Sequence, residues 1–327
     1  MRRILGSREF SVLAVLLLLC LFMSFSEASQ QFYSARNIQN ILRSVALLGI
    51  FAIGETIVII AGGIDLSLGS LIAFSGMLMA LLVTRFDAGF TADSAVVMGV
   101  MATLAGALAI GGAHATLIQR LRLPPFVVTL ASLLLLRSQA LIMNNQLPIP
   151  LADYPNLLYL ANGTLMEDSR LPLPVPVVIL AVVAAASGVL LNRTRIGRYI
   201  YSVGSNEQAT ELSGVSVFRV KLFAYGASAL LGGLAGVLWA AYGGQGDPRT
   251  AEAYELHAVA AAVVGGASLS GGQGSVSGTV LGAMLLYVIF SAINLLLAKP
   301  DLWRGTVVGG VLLFAVLVTA LQQRRMR

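Results

Sequence analysis

The sequence predicts an all-α, polytopic transmembrane helical bundle of about ten helices, with short or broken helices at Gly-rich turns. Three observations carry that prediction. Hydrophobic residues fill 57% of the 327 positions and charged residues only 11%, against about 25% charged in an ordinary soluble domain. Mean hydropathy is +0.85, so the chain has too little polar surface to face water all round. Apolar runs of about 20 residues, each able to cross roughly 30 Å of hydrocarbon, recur from end to end with glycine pairs between them.

The runs lie near residues 11–26, 44–61, 66–84, 95–118, 124–143, 174–191, 221–242, 253–267, 276–297 and 304–321, two of them short. The first follows Arg2, Arg3 and Arg8 and is trailed by Ser26-Glu27-Ala28. That pattern also fits a cleaved signal peptide, but the run exceeds a usual signal core, so it is expected to persist as the first span. The second carries Glu55, which is expected to pair with a group on another helix or to face a water-filled cavity. The fifth ends among Arg137, Gln139, Asn144 and Asn145, which suit a sugar's hydroxyls, although Arg137 equally suits the interface. Asn294 invites the same two readings. Residues 144–174 contain Pro148, Pro150, Pro155, Pro172 and Pro174, so this stretch is expected to be irregular, with short interfacial helices.

Loop charges orient the bundle. Arginines gather at the two termini, at 119–122 and in 192–220, whereas the alternate loops carry Asp87, Asp93, Asp153, Glu167, Asp168, Asp247, Glu252 and Glu255. Basic loops stay cytoplasmic, which places both termini inside and makes the number of crossings even. The net charge of +6 therefore reflects topology, and no nucleic-acid partner is expected. Cys20 is the sole cysteine, which excludes an intrachain disulfide. His114 and His257 stand far apart without ligand-spaced neighbours, so neither a metal nor another cofactor is expected.

Asp65 is the sharpest single feature, since a carboxylate between two apolar runs is costly in hydrocarbon. One reading sets Gly62, Gly63, Asp65 and Ser67 beside a translocation path. The other, favoured on residue types alone, makes Asp65 or Ser67 a helix cap and gives Gly62 and Gly63 the turn. The stretch 61–70 is echoed at 264–275, Gly62-Gly63 matching Gly265-Gly266, which hints at the internal duplication common in transporters. Leu269-Ser270-Gly271-Gly272-Gln273 spells the signature of ABC ATPases, but the chain has no Gly-Lys of a phosphate loop, so it reads as a Gly-rich turn. The pairs Gly232/Gly236, Gly278/Gly282 and Gly305/Gly309 allow close helix approach, within the chain or to a second copy. In 206–214, Asn206 can cap a short helix with Glu207 in its first turn, and Gly214 can end it. Such a helix suits docking into a partner, or is an ordinary amphipathic loop.

The motif from Ile57 to Ser70, the segment from Arg193 to Leu222, and Tyr254-Glu255-Leu256 followed by Gly265-Gly266-Ala267-Ser268-Leu269-Ser270-Gly271-Gly272 together resemble the ribose/xylose-type sugar ABC transporter permeases, nearly end to end. The resemblance implies one permease domain over 1–327 with a cytoplasmic coupling loop at 192–220, in a bacterial inner membrane. It implies a cytoplasmic ABC ATPase, a periplasmic sugar-binding protein and a second permease as partners. It assigns Asn206, Glu207, Ala209 and Gly214 to ATPase coupling. The chain departs from the family pattern at His257, where aspartate is expected, and at Glu55, often uncharged. The implied function is import of a ribose-, xylose- or galactose-like monosaccharide, driven by ATP hydrolysed in a separate chain. An ion-coupled secondary transporter, using Asp65 or Glu55, is the competing class.

Overall fold

The computed structural model describes residues 8–166 and 172–325. Helix α1 (Arg8–Ser24) and the short α2 (Ser29–Phe32) lead into α3 (Ala35–Ile60), α4 (Leu68–Phe86), α5 (Ala92–Arg120) and α6 (Pro125–Ile142). Strand β1 (Ile149–Pro150), α7 (Pro155–Asn162), and strands β2 (Thr164–Leu165) and β3 (Leu173–Pro174) form the Pro-rich connection to α8 (Val175–Arg193). Then come α9 (Arg195–Ser205), α10 (Glu207–Leu212), α11 (Val217–Gly243), β4 (Gln245–Gly246), α12 (Tyr254–Val264), α13 (Val276–Leu296) and α14 (Pro300–Arg325). Every apolar run is helical. Among the described residues, seven helices are long and apolar enough to cross a bilayer, namely α3 to α6, α8, α11 and α13, while α1 and α12 are shorter.

The centre is built from α3 and α11. Every residue of α3 from Val45 to Ile60 is buried. Helix α11 fits among α3, α4 and α5 because its glycines admit neighbouring backbone: Gly236 lies against the Ile72 carbonyl and Gly76, and Gly232 receives Leu68 and Leu71. Gly278 and Gly282 meet the backbone of Gly265 and Ala261, whereas a β-carbon on Gly305 or Gly309 would meet nothing within 4 Å among the described residues. Small residues thus let helices approach where side chains would hold them apart. Helix α1 is seated on α13, with Met23, Ala28 and Phe32 packed on Val288 and Ala292. Its Glu9 carboxylate accepts hydrogen bonds from Ser275 at 2.6 Å and Ser277 at 2.7 Å.

Two helices end in the same way. After α3, Gly62 takes φ +79°, its N–H donating to Ile59 O at 2.9 Å and that of Gly63 to Val58 O at 3.0 Å. After α12, Gly266 takes φ +100°, and the Gly266 and Ala267 N–H groups donate to Val263 O and Ala262 O. Both are Schellman caps, with glycine where the left-handed conformation is required. The internal match is therefore shifted by one residue from its sequence alignment: Gly62 corresponds to Gly266, and Gly63 to Ala267. Backbone conformation, not the glycine pair itself, sets the equivalence.

The two turns touch. The Gly272 N–H donates to Ile60 O at 2.9 Å, and Gly204, at the end of α9, is wedged against both. The Tyr201 hydroxyl donates to Gly274 O at 2.8 Å. The sequence predicts a cytoplasmic loop over 192–220, in which Gly197 and Gly204 carry low helical propensity. In the structure Gly197, Ile200 and Val203 form the buried stripe of an amphipathic helix, and a side chain on Gly197 would overlap the Leu190 and Leu191 carbonyls.

A β-carbon on Gly204 would overlap the Ile60 carbonyl, whereas one on Gly188 meets nothing within 4 Å. Gly204→Ala is expected to destabilise the fold by at least the ~1–3 kcal/mol typical of overpacking, read as a lower melting temperature in detergent. Gly188→Ala, a helix-interior glycine with open space, is expected to match or exceed the parent protein.

Candidate functional site

Three regions carry candidate functional residues: one inside the bundle and one at each of its ends. In the first, 61–67 folds back into the protein instead of leaving it. The Asp65 N–H donates to Glu55 Oε1 at 3.2 Å, at a level about 8 Å inward from the end of α3 by helical rise. Asp65 is 0% exposed. Its Oδ1 accepts from the Ser67 N–H at 3.0 Å and the Ser67 hydroxyl at 2.6 Å, and its Oδ2 from Ser228 at 3.3 Å. The carboxylate thereby opens α4 through a local turn and ties it to α11. Thr129 of α6 donates to Ile64 O at 3.3 Å. A side chain on Gly63 would overlap the Tyr225 hydroxyl. Glu55 is also 0% exposed, and among the described residues its Oε2 and the Tyr225 hydroxyl have no hydrogen-bond partner.

The second region lies at the bundle end that carries the basic loop. Asn206 Oδ1 accepts from the Ala209 N–H at 2.9 Å, capping α10. Gly214, φ +82°, closes it with Gly214 N–H to Glu211 O and Val215 N–H to Thr210 O, a third Schellman cap. Glu207 faces inward. It pairs with Lys221 of α11 at 2.7 Å and accepts from Gln119, at the end of α5, at 3.3 Å. The outward face presents Leu212, 90% exposed. Sequence reading named Glu207 but missed its partners, which lie 14 and 88 residues away, and passed over Leu212.

The third region is a cavity of about 480 Å³ at the opposite, acidic end, between the first turns of α3 and the ends of α11, α12, α13 and α14. A chain of edge-to-face rings borders it: Trp239 to Tyr254 at 5.4 Å, Tyr254 to His257 at 4.8 Å, His257 to Phe290 at 5.6 Å and Phe290 to Tyr287 at 5.6 Å. Asn37 binds Ser291 at 3.0 Å, and Arg304 donates to Asn294 at 3.2 Å. Helix α12, 11 residues long or about 16 Å, joins this cavity to the Gly265–Gly266 turn. Asn294 lines the cavity; Arg137, Gln139, Asn144 and Asn145 do not. Arg137 instead donates to the carbonyls of Pro248 and Thr250 at 2.8 and 2.9 Å, fixing the segment 244–253. The amide of Asn144 turns to Leu147 O and Pro148 O. The aromatic lining escaped sequence reading because its rings come from three separated helices. The spacing of Tyr287, Phe290, Ser291 and Asn294 along one face of α13 was the available signal.

The family described as "Branched-chain amino acid transport system / permease component" matches residues 37–317. The ribose import permease protein RbsC of Escherichia coli K12 is 36% identical over 309 residues, 93% of this chain and 92% of that protein. RbsC of Bacillus subtilis is 34% identical, covering 92% of this chain and 90% of that protein. The L-arabinose ABC transporter permease protein AraH of Azospirillum brasilense is 32% identical, over 96% and 88% of the two chains. No solved structure matches the chain.

The Glu207–Lys221 pair generates a test. Lys221 is buried, with Glu207 its carboxylate partner, so Glu207→Gln strands a cation that is costly to bury alone. Glu207→Gln is expected to lower the melting temperature of the detergent-purified protein. The exchange Glu207→Lys with Lys221→Glu is expected to recover at least half the loss.

Proposed function

This chain belongs to the branched-chain amino acid transport system permease family, and from that premise we propose that it is the membrane subunit of an ATP-driven importer of a monosaccharide, working by alternating access. As a sugar-type ABC permease it is a transport subunit and not an enzyme. The ribose, L-arabinose and xylose named for its relatives support an aldose as cargo.

One observation carries the mechanism. The end of α9 is wedged at Gly204 between the turn after α3 and the turn after α12, and α9 runs directly into α10. A partner that moves α10 therefore moves both Gly-rich turns. In this reading 192–220 is the coupling loop of a single permease domain, and a cytoplasmic ABC ATPase seats α10 with Leu212 in its groove. Asn206, Ala209 and Gly214 hold the helix in shape, while Glu207 passes its displacement to α11 and α5. Gly62, Gly63, Asp65 and Ser67 form the inner wall of the path. Both termini are cytoplasmic, in a bacterial inner membrane.

The remaining partners fit the other surfaces. A periplasmic sugar-binding protein docks over the acidic end, where α7 is fastened by Asn156 to Asp93 at 2.7 Å. A second permease, identical or homologous, packs on α14, where a β-carbon on Gly305 or Gly309 would meet nothing within 4 Å among the described residues. Of the two carboxylates an ion-coupled carrier would use, Asp65 is disfavoured, because both of its oxygens are occupied by Ser67 and Ser228.

Leu212→Glu is expected to abolish ATP-driven uptake in vesicles and to weaken co-purification with the ATPase, at an unchanged melting temperature. Uptake that persists without ATP and collapses with an ionophore would assign the chain to the ion-coupled class.

A further inference from the structure

We propose that the cavity at the acidic end is a binding site, within this chain, for a neutral monosaccharide ring. This deepens the permease reading and rests on it.

Four observations point there. The volume, about 480 Å³, lies within the range of small-molecule sites. The rings of Trp239, Tyr254, His257, Phe290 and Tyr287 give it an aromatic wall, against which the C–H face of a sugar stacks. Two buried donor atoms at the cavity, Trp239 Nε1 and Arg304 Nε, have no hydrogen-bond partner among the described residues. Buried polar groups are rarely left unsatisfied, and such exceptions need an explanation. The indole and guanidinium nitrogens only donate, so the missing partner must offer acceptor oxygens, as hydroxyl and ring oxygens do. Among the described residues, the side chains of Asn40 and Ser44 also line the cavity without a hydrogen-bond partner.

Charge narrows the ligand further. Among the described residues, no carboxylate lines the cavity, so the ammonium of an amino acid would find no counterion despite the family's description. The cation, Arg304, already shares its guanidinium with Asp301 at 3.4 Å and Asn294 at 3.2 Å, which leaves little for a sugar acid. A neutral polyol satisfies the free donors without importing charge.

The site also reaches the coupling machinery. Tyr254 and His257 stand on the first turn of α12, and the far end of α12 enters the turn that contacts Ile60 and Gly204. A ring held on the first turn therefore bears on the element that α9 moves.

The test uses the intrinsic fluorescence of Trp239 in the detergent-purified chain carrying Trp303→Phe. The probes are D-ribose, D-xylose, L-arabinose and D-galactose, with D-glucuronate and L-leucine as charged alternatives. The expected result is a saturable change with at least one neutral sugar, weakened about tenfold by His257→Ala and by Asn40→Ala. Asn40 is exposed, so its substitution tests binding without touching the core. The proposal is overturned if no neutral sugar perturbs Trp239, if glucuronate or leucine binds more tightly, or if both variants bind as the parent does. ATP-driven uptake by the assembled transporter separates the two claims. Uptake of a monosaccharide without binding in the isolated chain overturns only this site, whereas absence of any monosaccharide uptake overturns the function as well.

Discussion

The hydrogen bond from the Gly272 N–H to the Ile60 carbonyl, with Gly204 pressed against both, is the contact on which the rest of the structure depends. Three chain segments meet there through backbone alone, and the thickness of a methyl group separates packing from overlap. In a bilayer such closeness has direct value, because lipid is as apolar as the side chains and helix association rests on van der Waals contact and backbone approach. The junction joins the buried helix α3, the amphipathic α9 and the short α12. Without it, α9 and α10 would be tied to the bundle mainly through α8 and α11.

The breaks that flank the junction obey the other rule of the membrane, that exposed backbone groups must find partners inside the protein. In the segment 61–67 the Asp65 N–H goes to Glu55, the Ser67 N–H to the Asp65 carboxylate and the Ile64 carbonyl to Thr129. The segment 244–253 meets the rule with Arg137, which caps two carbonyls. Residues that look like substrate ligands in an apolar sequence thus serve irregular backbone, and for Asp65 that occupies both carboxylate oxygens. Glu55 differs, since one of its oxygens has no hydrogen-bond partner among the described residues.

The bundle was legible because its strongest signal, length of apolar run, is one-dimensional. The caps of α10 were legible for the same reason: Asn206 and Gly214 act on neighbours within a few residues. Helix α9 was not, because its glycines, which depress local propensity, are required by contacts with Leu190, Ile60 and Gly272 far along the chain. The register of the internal match was off by one because a glycine pair does not announce which member carries positive φ. The cavity was least legible. Its rings lie on α11, α12 and α13, and only packing brings Trp239 to Tyr254 and His257 to Phe290.

Helix α12 draws these features into one mechanical argument. A membrane-crossing helix of about 20 residues would carry a push at one face to the other face, past any site in between. At 11 residues, α12 ends partway, with its first turn at the aromatic wall and its last in the Gly265–Gly266 turn. Its stiffness comes from intrahelical bonds, and the freedom at its end from Gly266 at φ +100°. In the proposed mechanism, such a rod with a glycine pivot turns a small displacement at the basic end into a rotation of Tyr254 and His257. Cores are bistable and not continuously deformable, so sub-ångström shifts at one site become discrete repacking at another. Within the chain, both oxygens of Asp65 are already occupied, while the exposed Leu212 stands on the helix that follows the rod's junction. In the proposed mechanism, energy supplied by contact at that face reaches the cavity through α9, the glycine junction and α12.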